Sequence, residues 1–277
     1  MSDLHLEFGQ QYANFRITPR APRLILAGDI GQLADYDALR DFLRPQCENF
    51  AEVYLVLGNH EFFGVSRQKG LRLADMLQAE PQLKNRLVIM NRKRVDIKDV
   101  TLLGCTLHSH IPPDSENVVG QKINDFRRIV DWRVADHNAE HAKDIKWLKD
   151  EISSIRSTEL GLRQKIVVIS HHAPSTKGTS KPSNEGSLCS SAFGTDLIGG
   201  TQRSFLDDVQ YWIHGHTHHS SESVRGSVKL VSNQRGYVIP KNQGTEVSGS
   251  LASKLLNLGG RGSQEQTPFD PDKIIEV

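Results

Sequence analysis

Short, largely apolar runs recur along the chain, and each stops at a small residue followed by Asp, Asn or His. Residues 23–27 end at Gly28-Asp29 and residues 53–57 at Gly58-Asn59-His60-Glu61. Residues 165–169 end at Ser170-His171-His172, and residues 209–213 at His214-Gly215-His216-Thr217-His218-His219. Runs of this length predict strands buried on both faces. Helical spacing follows two of them, with Leu39, Phe42 and Leu43 inside residues 36–50 and Leu71, Leu73, Ala74 and Leu77 inside residues 68–78. Strand, polar cap and helix form the repeating unit, which predicts an α/β fold with its chemistry at the carboxyl ends of the strands.

Further β-type runs cover residues 87–90, 94–97 and 100–107, with Lys98-Asp99 as a hairpin turn, so parallel and antiparallel pairing are both expected. Ile111-Pro112-Pro113 stops that sheet, and residues 117–157 read as charged and largely helical. Trp147, Leu148, Ile152 and Ile155 make an apolar stripe that belongs to the core. Residues 221–225 and 227–231 alternate about Gly226 as a second hairpin, and residues 273–277 read as an edge strand. Residues 175–191, rich in serine, glycine, threonine and lysine, read as a flexible loop, either a flap beside the substrate or a linker; residues 242–266 read as another loop. One domain over residues 1–277 is expected.

Charge narrows the classes of function. A net +1 supplies no global field to recruit nucleic acid or an anionic membrane, so neither is an expected partner. Cys47, Cys105 and Cys189 have neither a disulfide framework nor zinc-ribbon spacing. No apolar run approaches a membrane span and no signal pattern opens the chain, so a cytoplasmic location is the default. The oligomeric state is left open.

In extended backbone, residues two apart face one way, which pairs Asp3 with His5 and His216 with His218. Either pair alone is equally consistent with a solvated polar segment. Taken in order, however, Asp3-Leu4-His5, Gly28-Asp29, Gly58-Asn59-His60-Glu61, Ser170-His171-His172 and Gly215-His216-Thr217-His218 resemble the five motifs of the calcineurin-like metallophosphoesterases. Residues 233–237 and 269–277 also resemble the closing segments of bacterial members. The resemblance implies mixed β-sheets packed as a central sandwich flanked by helices, and a dinuclear site at the strand ends. It implies one ion on Asp3, His5, Asp29 and His218 and a second on Asp29, Asn59, His171 and His216, with Asp29 bridging. Manganese, iron or zinc suit that oxygen and nitrogen set. The implied reaction is hydrolysis of phosphomonoesters or phosphodiesters by a hydroxide shared between the ions. Asp29, Asn59 and His60 are the implied catalytic residues, with His60 contacting phosphate or protonating the leaving oxygen. A small-molecule or phosphoprotein phosphoester is the expected substrate; a nuclease and a catalytically weak scaffold are the alternatives.

Two departures qualify the match. Only Met1 and Ser2 precede Asp3, where relatives carry a whole strand, so either the true start lies upstream or the first metal site is weak on a frayed end. Gln32 stands where many relatives have an acid that can hold the catalytic histidine, so His60 is expected to lack a carboxylate partner. Asp35 and Asp37 read as caps of the following helix. His137 and His141, four apart without a Glu-x-x-His context, read as surface residues, as do Arg127 and Arg128. His108 and His110 flank the site as substrate contacts or as plain strand-end residues, and His172, His214 and His219 as supports.

Overall fold

Strands buried on both faces need a layer on each side, and the chain supplies helices outside and a second sheet inside. The computed structural model describes residues 1–200, 204–238 and 268–277. Strands β1 (Arg23–Ala27), β2 (Glu52–Val56) and β3 (Leu87–Ile89) form one parallel sheet in that order. The second sheet contains β4 (Lys93–Ile97), β5 (Val100–Cys105), β6 (Lys165–Ser170), β7 (Tyr211–His214), β8 (Glu222–Arg225) and β9 (Val228–Ser232). Its order is β4-β5-β6-β7-β9-β8, parallel through β5, β6, β7 and β9, with an antiparallel strand at each edge. Lys98 and Gly226, both at positive φ, turn the two edge hairpins.

The two sheets pack face to face. Ala27, Tyr54, Val56 and Met90 of one meet Leu102, Val167, Ile169 and Ile213 of the other. The alternate residues face outward. Leu24, Leu26, Val53 and Leu55 pack under α1 (Tyr36–Asn49) and α2 (Arg67–Gln78) through Leu39, Phe42, Leu43, Ala74 and Leu77. On the far side Leu103, Cys105, Ile166, Val168 and Trp212 pack against Leu148, Ile152 and Ile155. The structure is therefore the expected α/β sandwich with helices outside.

The predicted helical stretch 117–157 is broken into α3 (Pro113–Lys122), α4 (Asp125–Arg128) and α5 (Val134–Arg156), followed by α6 (Glu159–Leu162). Ile129 is buried and extended after α4. The segment is tied to the loop before α2 by Gly64 N–H to Arg128 O (2.8 Å) and Val130 N–H to Val65 O (3.1 Å). That pairing outweighs the helix propensity of the charged residues. Residues 273–277 form no strand; Ile275 packs on the inter-sheet core and the Tyr211 hydroxyl donates to Glu276 O, so a side-chain anchor replaces ladder pairing. Residues 175–189 are irregular, yet Thr179 is buried within them. The predicted loop 242–266 lies outside the described residues.

The beginning of the chain is not frayed. Met1 and Asp3 pair with β1, through Ala27 N–H to Met1 O (2.8 Å) and Asp3 N–H to Gly28 O (3.0 Å). On their other side, Ser2 N–H donates to Asn233 O and Arg235 N–H to Ser2 O. The chain leaving β9 thus crosses to the first sheet, with residues 1–3 paired between it and β1.

The spacing between the sheets depends on Gly104 in β5, where an added Cβ would lie 2.5 Å from Met90 Cβ. Gly104→Ala is expected to cost about 1–3 kcal/mol by overpacking, read as a lower urea midpoint. Adding Met90→Ala should make the double variant less destabilised than the sum of the single ones.

Candidate metal centre

The residues beyond the strand ends turn sharply, and the turn aims their side chains. Asp3, His5, Asp29, His216 and His218 all have positive φ, between 47° and 72°. The i, i+2 pairs are therefore not in extended backbone, contrary to the expectation from alternation, and converge because the chain coils. Asp and His tolerate this conformation better than most side chains. Backbone bonds hold it: His5 N–H donates to Asp29 O, and His216 N–H to both oxygens of Asp3 at 3.0 and 3.1 Å. Glycines allow the close approach. A Cβ on Gly28 would lie 2.4 Å from His171 Nδ1, and one on Gly58 2.3 Å from Asp29 Oδ1.

Two groups of donor atoms meet around Asp29. In the first, His5 Nε2 lies 2.9 Å from His218 Nε2 and 3.9 Å from Asp29 Oδ2, and His218 Nε2 lies 3.5 Å from Asp3 Oδ1. In the second, His171 Nε2 lies 3.0 Å from Asn59 Oδ1, 3.3 Å from Asp29 Oδ1 and 3.1 Å from His216 Nδ1. All seven of the side chains singled out as ligands are thus brought together, and His216 and His218 part company, one to each group.

Protonation shows why a cation fits. His171 Nδ1 lies 3.0 Å from Ala27 O, so the ring proton sits there and Nε2 presents a lone pair. Asn59 Nδ2 donates to Asp125 Oδ1 at 2.7 Å, which fixes the amide with its oxygen toward His171. His171 Nε2, Asn59 Oδ1 and Asp29 Oδ1, the last also accepting the His60 N–H at 2.9 Å, then turn lone pairs toward one point. A divalent ion satisfies all three. Burial lowers the pKa of His5 to about 4 and holds His216 and His218 well below the usual range, keeping them in the neutral ligating form. Burial raises Asp3 to about 7 and Asp29 well above a normal carboxylate, which a nearby cation would reverse.

The supporting residues were only partly legible in sequence. Glu61 is fully buried and accepts the N–H groups of Asp29 (2.9 Å), Ile30 (2.8 Å) and Gly58 (2.7 Å), tying the β1 and β2 ends into one loop pair. Glu7 corrects the expectation for His60: its Oε1 lies 2.8 Å from His60 Nδ1 and 3.3 Å from His5 Nδ1, so the carboxylate that Gln32 does not supply comes from another segment. The alternation Asp3, His5, Glu7 was the available signal. The Tyr237 hydroxyl lies 3.2 Å from His60 Nε2 and its ring stacks on His5 at 4.2 Å, a contact between distant segments that no local pattern marks. Asp125 had no signal either.

His137 and His141 are buried, not surface residues, because their face of α5 packs under the end of β5. His137 Nε2 meets Ser109, and His141 Nδ1 lies 3.0 Å from Leu107 O. His108, His172 and His214 are buried, His219 is half-buried, and His110 is exposed. Arg127 and Arg128 are exposed as expected. Asp35 stands at the N-cap of α1 but makes no capping bond, accepting the Tyr12 hydroxyl instead, and Asp37 pairs with Arg40 at 2.7 Å.

Comparison with known proteins agrees with this geometry. The family model for the calcineurin-like phosphoesterases matches residues 1–220. An uncharacterized protein of Acanthamoeba polyphaga mimivirus, L509, is 27% identical over 268 residues, covering 87% of this chain and 91% of that one. The solved phosphopantetheinyl hydrolase (PptH) of Mycobacterium tuberculosis superposes with a TM-score of 0.60 at 17% identity, over 86% of this chain and 88% of its own. No helix among the described residues is long and apolar enough to cross a membrane.

Without cations the buried groups pull stability in opposite directions. Asp3, Glu61 and Asp125 titrate at about 7, 8 and 6, above their unfolded values, so their contribution is lost as pH rises through that range. His5 and His214, lowered to about 4, and His108, His137, His172, His216 and His218, held well below the usual range by burial, contribute above the unfolded histidine value and lose that as pH falls, outweighing the three carboxyls on the acid side. Chelated protein is expected to be most stable near pH ~6.5 and to weaken toward pH ~8.5. Divalent ions should remove the alkaline loss. Urea melts at three pH values with and without chelator check this, and a chelated protein that gains stability above pH ~6.5 would contradict it.

Proposed function

The chain belongs to the calcineurin-like phosphoesterases, metal-dependent hydrolases of phosphoric esters, and from that premise we propose that it cleaves phosphomonoesters or phosphodiesters at a centre of two divalent ions. The observation that carries this reading is the division of Asp29, whose Oδ1 faces His171 while Oδ2 faces His5. One carboxylate serving two groups of ligands is the arrangement a two-ion site requires. Asp3, His5, Asp29 and His218 would hold one ion, and Asp29, Asn59, His171 and His216 the other. Manganese, iron or zinc match the donors. When bound, such a pair supplies a nucleophilic water at neutral pH and positive charge for the phosphoryl oxygens.

The chain's own residues would then position the ester and move one proton. Burial lowers the pKa of His60, and Glu7, which accepts a hydrogen bond from Nδ1–H, opposes that shift, so that a proton on Nε2 can pass toward the leaving oxygen. Tyr237 steadies that nitrogen from the other side. Asp125 keeps the Asn59 oxygen turned inward. His218, partly exposed, marks the open side of the centre where a small-molecule or phosphoprotein ester would approach.

Chelated protein restored with manganese, iron or zinc should hydrolyse at least one of an alkyl monoester, an aryl diester, a cyclic nucleotide or a phosphopantetheinyl ester. The last is included because the Mycobacterium tuberculosis protein of the same fold is named for that group. Asp29→Asn should lower the rate at least about 10³-fold; an unchanged rate would sink the two-ion reading.

Leaving-group dependence tests the acid role. His60→Ala should slow alkyl esters by roughly 10²–10⁴-fold and activated aryl esters far less. Glu7→Gln should show the same selectivity at roughly 10-fold or more, with weaker retention of metal because Glu7 also holds His5. Equal losses on both ester series would argue against proton donation.

A further inference from the structure

Behind the Asn59 side of the centre lie two buried imidazoles, His172 and His137, with ring nitrogens that make no hydrogen bond among the described residues. His172 is fully buried, and among the described residues neither of its ring nitrogens makes a hydrogen bond. Nδ1 of His137 is buried and unbonded as well, while Nδ1 of His108 faces Asp144 Oδ2 at 3.7 Å. The three rings lie together, with His172 centred 5.5 Å from each of the other two. Native interiors rarely seal off one such group, so the unbonded nitrogens of His172 and His137 call for an occupant. Asp125 adds a negative charge: its carboxylate is buried, bonds Asn59, and pairs with no lysine or arginine among the described residues.

One ligand atom each of Asp125, His137 and His172 lies within 4.8 Å of the other two. We propose that these side chains form a separate site for one divalent transition-metal ion, sharing no ligand with the two groups around Asp29. Two imidazole nitrogens and one carboxylate oxygen are a donor set for zinc, iron or manganese that leaves positions for water. A buried water would satisfy ring nitrogens but leave the Asp125 charge uncompensated, whereas a cation answers both needs.

The surroundings set what loading requires. The Ser109 hydroxyl lies 3.0 Å from His137 Nε2 and can accept a hydrogen bond from the ring proton when it sits there, leaving the Nδ1 lone pair for the ion. Ser109 N–H, 3.1 Å from the same nitrogen, favours the opposite tautomer without metal, so loading shifts the ring proton from Nδ1 to Nε2. The ion would join α4, α5 and the loop after β6, which are not paired by any ladder, and would steady Asn59 through Asp125. His172 also packs on His216 at 4.0 Å, so the site braces two of the residues proposed for the reaction.

Metal counting tests the site directly. Chelated wild-type protein reloaded with zinc and desalted should hold three ions per chain by mass spectrometry, and His137→Gln should hold two. Asp29→Asn should lose ions from the other groups while keeping the one held by His137. Equal counts in wild type and His137→Gln would overturn the proposal. If Asp29→Asn instead loads as many ions as wild type, the two-ion reading of the catalytic centre fails and this one stands. Should His137→Gln misfold, anomalous scattering from zinc-loaded wild-type crystals takes its place: a peak enclosed by Asp125, His137 and His172 supports the site, and water-level density there overturns it.

Discussion

Everything at the candidate centre depends on holding the Asp29 carboxylate, buried, between two groups of lone pairs. A carboxylate in that position is costly by itself, since burial disfavours its charge and its neighbours His5, His171 and Asn59 offer further lone pairs rather than protons. The fold meets the cost with backbone. Glu61 gathers the N–H groups of both strand ends, His60 N–H donates to Asp29 Oδ1 at 2.9 Å, and Gly58 leaves room for the oxygen. The geometry is thereby fixed in advance of any ion, which is the condition for a metal site that binds without refolding.

Sheet architecture explains how distant segments reach that carboxylate. The parallel strands of both sheets end on the same side of the sandwich, so β1, β2, β6 and β7 deliver Asp29, Asn59, His171 and His216 to one edge. Residues 1–3 and the chain after β9 close the gap between the sheets by pairing with each other, bringing Asp3, His5 and Tyr237 to the same place. The inter-sheet core, with Met90 over Gly104, sets the distance across which these groups must meet. Small errors in packing there would be felt directly at the ligands.

Buried charge is treated differently on the two sides of the centre. Near His60, Glu7 joins two imidazoles and lies well below the usual carboxylate range because both rings bond it. Near Asn59, Asp125 accepts the Asn59 amide, and burial raises it to about 6. A carboxylate shared with imidazoles is suited to proton movement, while one held by an amide is suited to orientation. The buried ion pairs of Arg92 with Glu140 and Asp144, at 3.1 and 2.6 Å, continue this polar layer along α5 toward the surface.

The order of the motifs, the strands that carry them and the seven side chains proposed as ligands were all readable from the sequence, because strand ends are local signals and each motif is contiguous. What the sequence could not decide was anything that depends on contact between segments. Local alternation suggested extended backbone at Asp3, His5, His216 and His218, yet hydrogen bonds from other segments hold these residues in the left-handed region. The helical charge pattern of residues 117–157 gave way to pairing with the loop before α2, and His137 and His141 went from an assumed surface to the interior for want of any local mark of what α5 would cover. Glu7 as the partner of His60, Asp125 as the support of Asn59 and the pairing of residues 1–3 with β1 are likewise tertiary facts. Composition and spacing specify which residues can do chemistry; burial and cross-segment hydrogen bonds specify which way they point.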